Sequence, residues 1–185
     1  MTWKDASMSE LGRGSQRATA LADRLTGARD ALTSLLERVD GQDWLRVPAP
    51  GVWSPSKDAE HVADGNVLHQ WVVRLTIGQA KASGRPTIER KQLTSGRSPA
   101  EVVELVRGTL DEAATLVRGL TDAQLDLPTK PPKAGAPSLA QTIESMMINH
   151  VEHHRREIEA KLRWPLSTGS LTTSHVPQPH QRGQQ

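Results

Sequence analysis

Four stretches of the chain repeat their apolar residues at three- and four-residue steps, and Pro- or Gly-rich breaks separate them. No comparable set of alternating β-branched runs accompanies them, so the pattern predicts an all-α protein. The first stretch predicts a helix from about Ser15 to Val39, with Ala18, Leu21, Leu25, Ala28, Leu32, Leu35 and Leu36 on its apolar side. Residues 40–52 contain Gly41, Pro48, Pro50 and Gly51 and read as a connection with at most a short turn around Trp44. The second helix is expected to start at Ser54-Pro55, where serine accepts an orphan N–H and proline loses no intrahelical bond. It should continue to about Ile77, with His61, Gly65, Leu68, Val72 and Leu75 on one face and Val62 and Trp71 flanking it.

Residues 78–97 are polar and include Gly84, Pro86 and Gly96, which predicts a loop long enough to be mobile or functional. Ser98, Pro99 and Glu101 then form a capping-box pattern ahead of Val102, Leu105, Val106, Leu110, Ala113, Leu116 and Val117, and this third helix should end near Gly119 or Leu120. Thr121 and Gln124 can cap one extra turn. Ser138 and Gln141 repeat the capping signal for a fourth helix that reaches Arg163 before Pro165. Four such helices fit an up-down-type bundle over residues 15–164, with a flexible N-terminus at 1–14 and a flexible, low-complexity tail at 165–185.

A chain of 185 residues is long enough to bury a core. Its pI of about 9.2 invites a nucleic-acid reading, but the formal charge is only +2 and the basic residues are scattered among acids. Only the stretch from Lys81 to Arg97 is locally acid-poor, so no nucleic-acid partner is expected. No apolar run approaches the roughly 18 residues of a membrane span and the start has no signal-peptide stretch, which predicts a cytoplasmic protein without a membrane partner. The chain has no Cys, and that excludes disulfides, thiolate metal sites and a cysteine nucleophile. Any bound metal must use nitrogen and oxygen ligands.

The sharpest chemical feature is NHVEHHRREIEAKL, in which His150 and His154 stand one helical turn apart. They follow Leu139, Ile143 and either Met146 or Met147 in the apolar stripe and precede Ile158 and Leu162. A buried neutral imidazole needs partners for both nitrogens, and metal ligation with an acceptor behind the ring satisfies them. Packed, hydrogen-bonded histidines fit the same spacing. His61 adds a third imidazole from the inward side of another helix, beside Gly65, and a facial set of three leaves coordination positions open for water or substrate.

His69 lies about 12 Å along the axis from His61 and should not share the ion; a surface or intersubunit contact is expected for it. His153 should point away from His154, with the same surface expectation. Asp58, Glu60, Asp64 and Glu157 are carboxylates that can orient a histidine or move a proton, and Glu157 is favoured by its place three residues after His154. Charged helix faces normally meet solvent, which is the plainer reading of each. Lys57 and Arg155 can attract an anionic substrate or simply solubilise their helices, and His175 and His180 in the tail are expected to be solvated. The zincin spacing, the phosphate-binding loop and the paired Glu-x-x-His motifs of dinuclear bundles are all absent.

Trp53-Ser54-Pro55, His61 and His150-x-x-x-His154, within WSPSKDAEHVADGN and NHVEHHRREI, resemble the DinB-like (DinB/YfiT-like) metalloenzyme superfamily over roughly residues 15 to 163. The resemblance implies a four-helix bundle, metal ligation by His61, His150 and His154, a non-ligand place for His153, and a homodimer. It also implies one divalent ion per chain, nickel or zinc first and iron or manganese after them, since three imidazoles select poorly among such ions. Members include thiol-dependent transferases and isomerases. The implied activity is therefore transfer of a low-molecular-weight thiol, mycothiol or bacillithiol, to a small electrophile; the low-complexity reading of residues 165–185 is not expected to supply the substantial C-terminal domain of a mycothiol-dependent isomerase relative. Two alternatives share the residues: a hydrolase whose metal activates water, and a metal-binding stress or interaction protein without catalysis.

Overall fold

Serine sets the start of each long helix. Ser15, Ser54, Ser98 and Ser138 occupy the last non-helical position and accept the backbone N–H of Ala18, Lys57, Glu101 and Gln141 in turn. At Ser98 and Ser138 the Glu101 and Gln141 side chains reach back to the serine N–H and complete a capping box. The computed structural model describes residues 15–88, 92–129 and 135–163. The expected flexible segments, with His175 and His180, lie outside the described residues.

The elements are α1 (Gln16–Leu36), one turn of α2 (Gly41–Trp44), α3 (Pro55–Thr76), a 3-10 turn (Ala82–Gly84), α4 (Pro99–Arg118), one turn of α5 (Asp122–Leu125), α6 (Leu139–Thr142), a π-helical stretch (Ile143–Ile148) and α7 (Asn149–Leu162). The two single turns stand where Trp44 and the Thr121/Gln124 pair place them, and Thr121 closes a capping box with Gln124. Gly78, at φ +79, ends α3: its N–H bonds to the Leu75 carbonyl and that of Gln79 to Arg74, a Schellman turn that an L side chain would strain.

Leu25, Leu32 and Leu36 of α1 meet Val62 and Val73 of α3, Val106 and Leu110 of α4, and Leu139, Ile143, Met147 and Ile158 of the last helix in one buried core. No helix of the described residues is long and apolar enough to cross a membrane. On α3 the buried stripe matches the expected one at His61 and Gly65 but then departs from it. Ala59, Val62, Asn66 and Val73 also face inward, whereas Leu68, Val72 and Leu75 are half-buried at the side. Two polar residues hold this rotation, because Asn66 Nδ2 and Gln70 Nε2 both donate to the Thr109 carbonyl of α4, at 2.6 and 2.9 Å.

The same contacts fix the helix directions. Arg97 meets Glu60 near the start of α3 and Thr109 meets Asn66 and Gln70 further down, so α3 and α4 run the same way, a departure from the alternating directions expected of an up-down bundle. Asp23 pairs with Arg118 and Glu37 with Arg107, which sets α1 antiparallel to α4. Asp58 meets Lys161 while Gly65 faces His150, so α7 runs against α3. Two neighbouring parallel helices require a connection that travels back along the bundle, and α3, at 22 residues, is about 33 Å long. This requirement explains the length of the 78–97 segment. Its far end is fastened to the start of α3: Ser54 N–H donates to the Leu93 carbonyl, Ser95 N–H to Ser56 Oγ, and Trp44 Nε1 to the Arg97 carbonyl.

The π-helical stretch answers a spacing problem. Leu139, Ile143, Met147 and Val151 are all buried at strict intervals of four, which in an α-helix would drift by about 40° per step. The wider i→i+5 turns absorb that drift and bury Met147 while leaving Met146 outside. Core packing is continuous through α1, where Leu32 has no exposed surface. Leu32→Ala should therefore lower unfolding stability by about 3 kcal/mol in a urea titration, with the m-value unchanged.

Candidate metal centre

The Ser54 cap and Pro55 start α3 so that His61 falls on its second turn, facing α7. Antiparallel α7 presents His150 and His154 to it from successive turns. One ring nitrogen from each of the three histidines lies within 4.8 Å of the others. His61 Nε2 and His150 Nε2 are 3.4 Å apart, and the ring centroids are separated by 5.3 Å (His61–His150), 5.0 Å (His61–His154) and 4.7 Å (His150–His154). His61 and His154 are buried, and His150 is half-buried.

Gly65 makes room for this convergence. A Cβ at that position would stand 2.9 Å from His150 Cε1, closer than side chains pack, so any larger residue would push the imidazole out. Burial, reinforced by the charges that His154, His69, His61 and His153 would carry, takes the His150 pKa down to about 3. The ring is thus neutral at physiological pH, the form that ligates a metal.

His154 is braced from behind. Its Nδ1 lies 3.4 Å from Asp58 Oδ1 and 3.3 Å from Glu157 Oε2. Asp58 is fully buried and pairs through Oδ2 with Lys161, while Glu157 is partly exposed and also lies 3.4 Å from His153. Of the four carboxylates singled out, Asp58 and Glu157 reach the cluster. Glu60 turns instead to Lys57, Ser95 and Arg97; burial alone would raise its pKa, but the hydrogen bond and charge of Lys57, with Ser95 and Arg97, bring it below the ordinary value. Asp64 has no place in the cluster, and burial followed by the Glu60 charge raises its pKa.

The residues fit a divalent cation. Three neutral imidazoles supply the donors, and His150 Nδ1, His154 Nδ1 and Asp58 Oδ1 are buried polar atoms without hydrogen bonds, arranged around the rings that would hold it. Three protein nitrogens would leave coordination positions of such an ion unfilled by the described residues.

Several expectations need correction. His69 is not a surface residue: the α3 rotation buries it, with its ring edge-on to His150 at 5.0 Å, and burial lowers its pKa to about 4. It stands outside the three-histidine cluster, as its axial distance from His61 implies. Lys57 is not a free anion attractor, since it is buried against Glu60 at 2.8 Å. Arg155 pairs with Glu159 on its own helix at 2.5 Å. His153 is exposed, as expected. Sequence reasoning assigned no contact to Trp53, whose ring lies 4.9 Å from that of His61 at 56°; the signal was its position directly before the Ser54-Pro55 cap.

A model of the DinB superfamily matches residues 24–158. No curated protein matches the chain. A crystal structure of an uncharacterized protein from Clostridium difficile 630 is similar in fold, with a TM-score of 0.64 at 12% identity, over 83% of this chain and 100% of that one. The family match spans the bundle and all three histidines, and the chain belongs to the DinB superfamily.

Two outcomes follow from this geometry. Gly65→Ala should sharply reduce metal bound after reconstitution, measured by elemental analysis, while helicity by circular dichroism stays near that of the unaltered protein. The metal-free protein should also be acid-sensitive. His69 and His150 have folded-state pKa values of about 4 and about 3 against 6.5 for the ordinary side chain, so the unfolded chain takes up protons first. Their contribution is complete above about pH 6.5 and is lost as pH falls toward those values. Melting temperatures of the metal-free protein should drop between pH 7 and 4.5, and less steeply in His69→Gln.

Proposed function

We propose that this member of the DinB superfamily is a divalent-metal-dependent enzyme that transfers a low-molecular-weight thiol to a small electrophilic substrate. The observation that carries the reading is the convergence of His61, His150 and His154 in a cluster that, among the described residues, no fourth protein donor completes. His61, His150 and His154 would hold one divalent ion, nickel or zinc before iron or manganese. Bound there, the ion would supply Lewis acidity and favour the thiolate form of a thiol.

The chain's own residues provide the setting. Burial keeps His150 neutral and ready to ligate, Asp58 and Glu157 brace His154, and Trp53 covers one side of His61 and limits water. The thiol must come from outside, because the chain has no Cys. Mycothiol or bacillithiol is the thiol favoured by the superfamily resemblance, and a cytoplasmic setting, where such thiols stay reduced, suits the reaction. A second copy of the chain is the expected protein partner, and the half-buried side-facing Leu68, Val72 and Leu75 give α3 an apolar flank for it.

The reaction forms a carbon–sulfur bond, releases the thiol proton to solvent and expels the leaving group with its electron pair. Metal-loaded protein given a low-molecular-weight thiol and a panel of small electrophiles should therefore yield a thioether product by mass spectrometry, at a rate lost in His150→Ala. Turnover of an ester, amide or lactone without any thiol would replace this reading with the hydrolase. No product from either panel, with metal and thiol shown to be bound, would favour a non-catalytic metal-binding protein.

A further inference from the structure

We infer that Asp58, held by Lys161, is the positioning residue that fixes the tautomer of His154 and so sets metal affinity; this rests on the metal centre proposed above. His154 Nδ1 and Asp58 Oδ1 face each other at 3.4 Å and both are buried; neither makes a hydrogen bond among the described residues, and Glu157 Oε2 lies 3.3 Å from the same nitrogen. Each left alone carries a desolvation cost. A ring that gives Nε2 to a cation must keep its proton on Nδ1, and that N–H is the donor Asp58 Oδ1 lacks. Ligation and the Asp58 contact therefore favour the same tautomer, so each strengthens the other.

Asp58 has a better hold on the ring than Glu157. Its side chain is 1% exposed and its other oxygen is engaged by Lys161, whose own side chain is 13% exposed. The Lys161 backbone is fastened in turn, since its carbonyl accepts from Arg46 Nη2 at 2.7 Å, and Arg46 Nε donates to Asp43 Oδ1 of α2. The carboxylate is thus tied to both α2 and α7 and has little freedom to swing away. Glu157 is 41% exposed, shares its charge with His153, and lines a cleft of about 180 Å³ with Pro48, Ala49, Val52, Ala160 and Lys161. A carboxylate this exposed to solvent is more strongly screened than a buried one.

Asp58, His154 and Glu157 also form a group that can itself hold a cation, with His154 then bridging two ions. Lys161 argues against that arrangement, because its ammonium already occupies Asp58 Oδ2 and would repel a second charge.

Zinc affinity, measured by chelator competition on the full chain, should fall about 10- to 100-fold in Asp58→Asn and change less than about threefold in Glu157→Gln. Nitrogen-15 spectra of the unaltered zinc-loaded protein should show His154 protonated at Nδ1, with a hydrogen-bonded N–H proton; that measurement stands even if the variant fails to fold. In Asp58→Asn the His154 signal should shift while those of His61 and His150 persist. Unchanged affinity in Asp58→Asn, a larger loss in Glu157→Gln, His154 bound through Nδ1, or a second zinc equivalent abolished by Asp58→Asn would each overturn the assignment with the metal centre left standing. Failure of the unaltered protein to bind zinc, nickel, iron or manganese would overturn both.

Discussion

Three imidazoles between antiparallel helices impose one demand on everything around them: every ring nitrogen must find a partner where water is scarce. A leucine at those positions would ask nothing. The histidines instead require Gly65 to leave space, Asp58 to be buried behind His154, and their own protons to stay off at neutral pH. Such a cluster is costly as a purely packed core, because His150 Nδ1, His154 Nδ1 and Asp58 Oδ1 remain without hydrogen bonds. A divalent cation would relieve much of this conflict, since it turns the inward nitrogens into ligands and leaves His154 Nδ1 as a donor to the Asp58 carboxylate.

The bundle topology makes this arrangement available. Because α3 and α4 run in the same direction, the chain must return along the bundle, and residues 92–98 arrive beside the first turns of α3. There Ser95 and Arg97 take up Glu60, with buried Lys57 on its other oxygen. That network draws Glu60 away from His61 although the two are adjacent in sequence. It leaves Asp58, one turn earlier, as the buried carboxylate on the α7 side. The π-helical turns before Asn149 adjust the last helix in the same sense, since they keep its four-residue stripe in the core up to the point where His150 and His154 enter the site.

Local signals were the legible part of this protein. Serine caps, proline at first helical positions and capping boxes have their partners within three residues, so their outcome needs no knowledge of the fold, and all four long helices start where those signals stand. The spacing of His150 and His154 and the inward place of His61 were legible for the same reason. The burial of His69 was not, because it depends on the rotation of α3, and Asn66 and Gln70 set that rotation through a carbonyl on another helix. Hydrophobic periodicity favoured the Leu68–Val72–Leu75 side; two buried amides outweighed it. The choice of Asp58 alongside Glu157 was equally hidden, as it required Lys161 to be across from it, 103 residues away along the chain.

Whether His61, His150 and His154 hold one ion between them decides what this bundle is for. The most direct test is the metal content of untagged protein, measured by elemental mass spectrometry for the native sequence and for His154→Ala. About one nickel, zinc, iron or manganese ion per chain is expected in the first and almost none in the second, with both proteins equally helical. Equal metal in the two, or none in the native protein after reconstitution with each of these ions, would contradict it and leave the histidines as packing residues of a bundle.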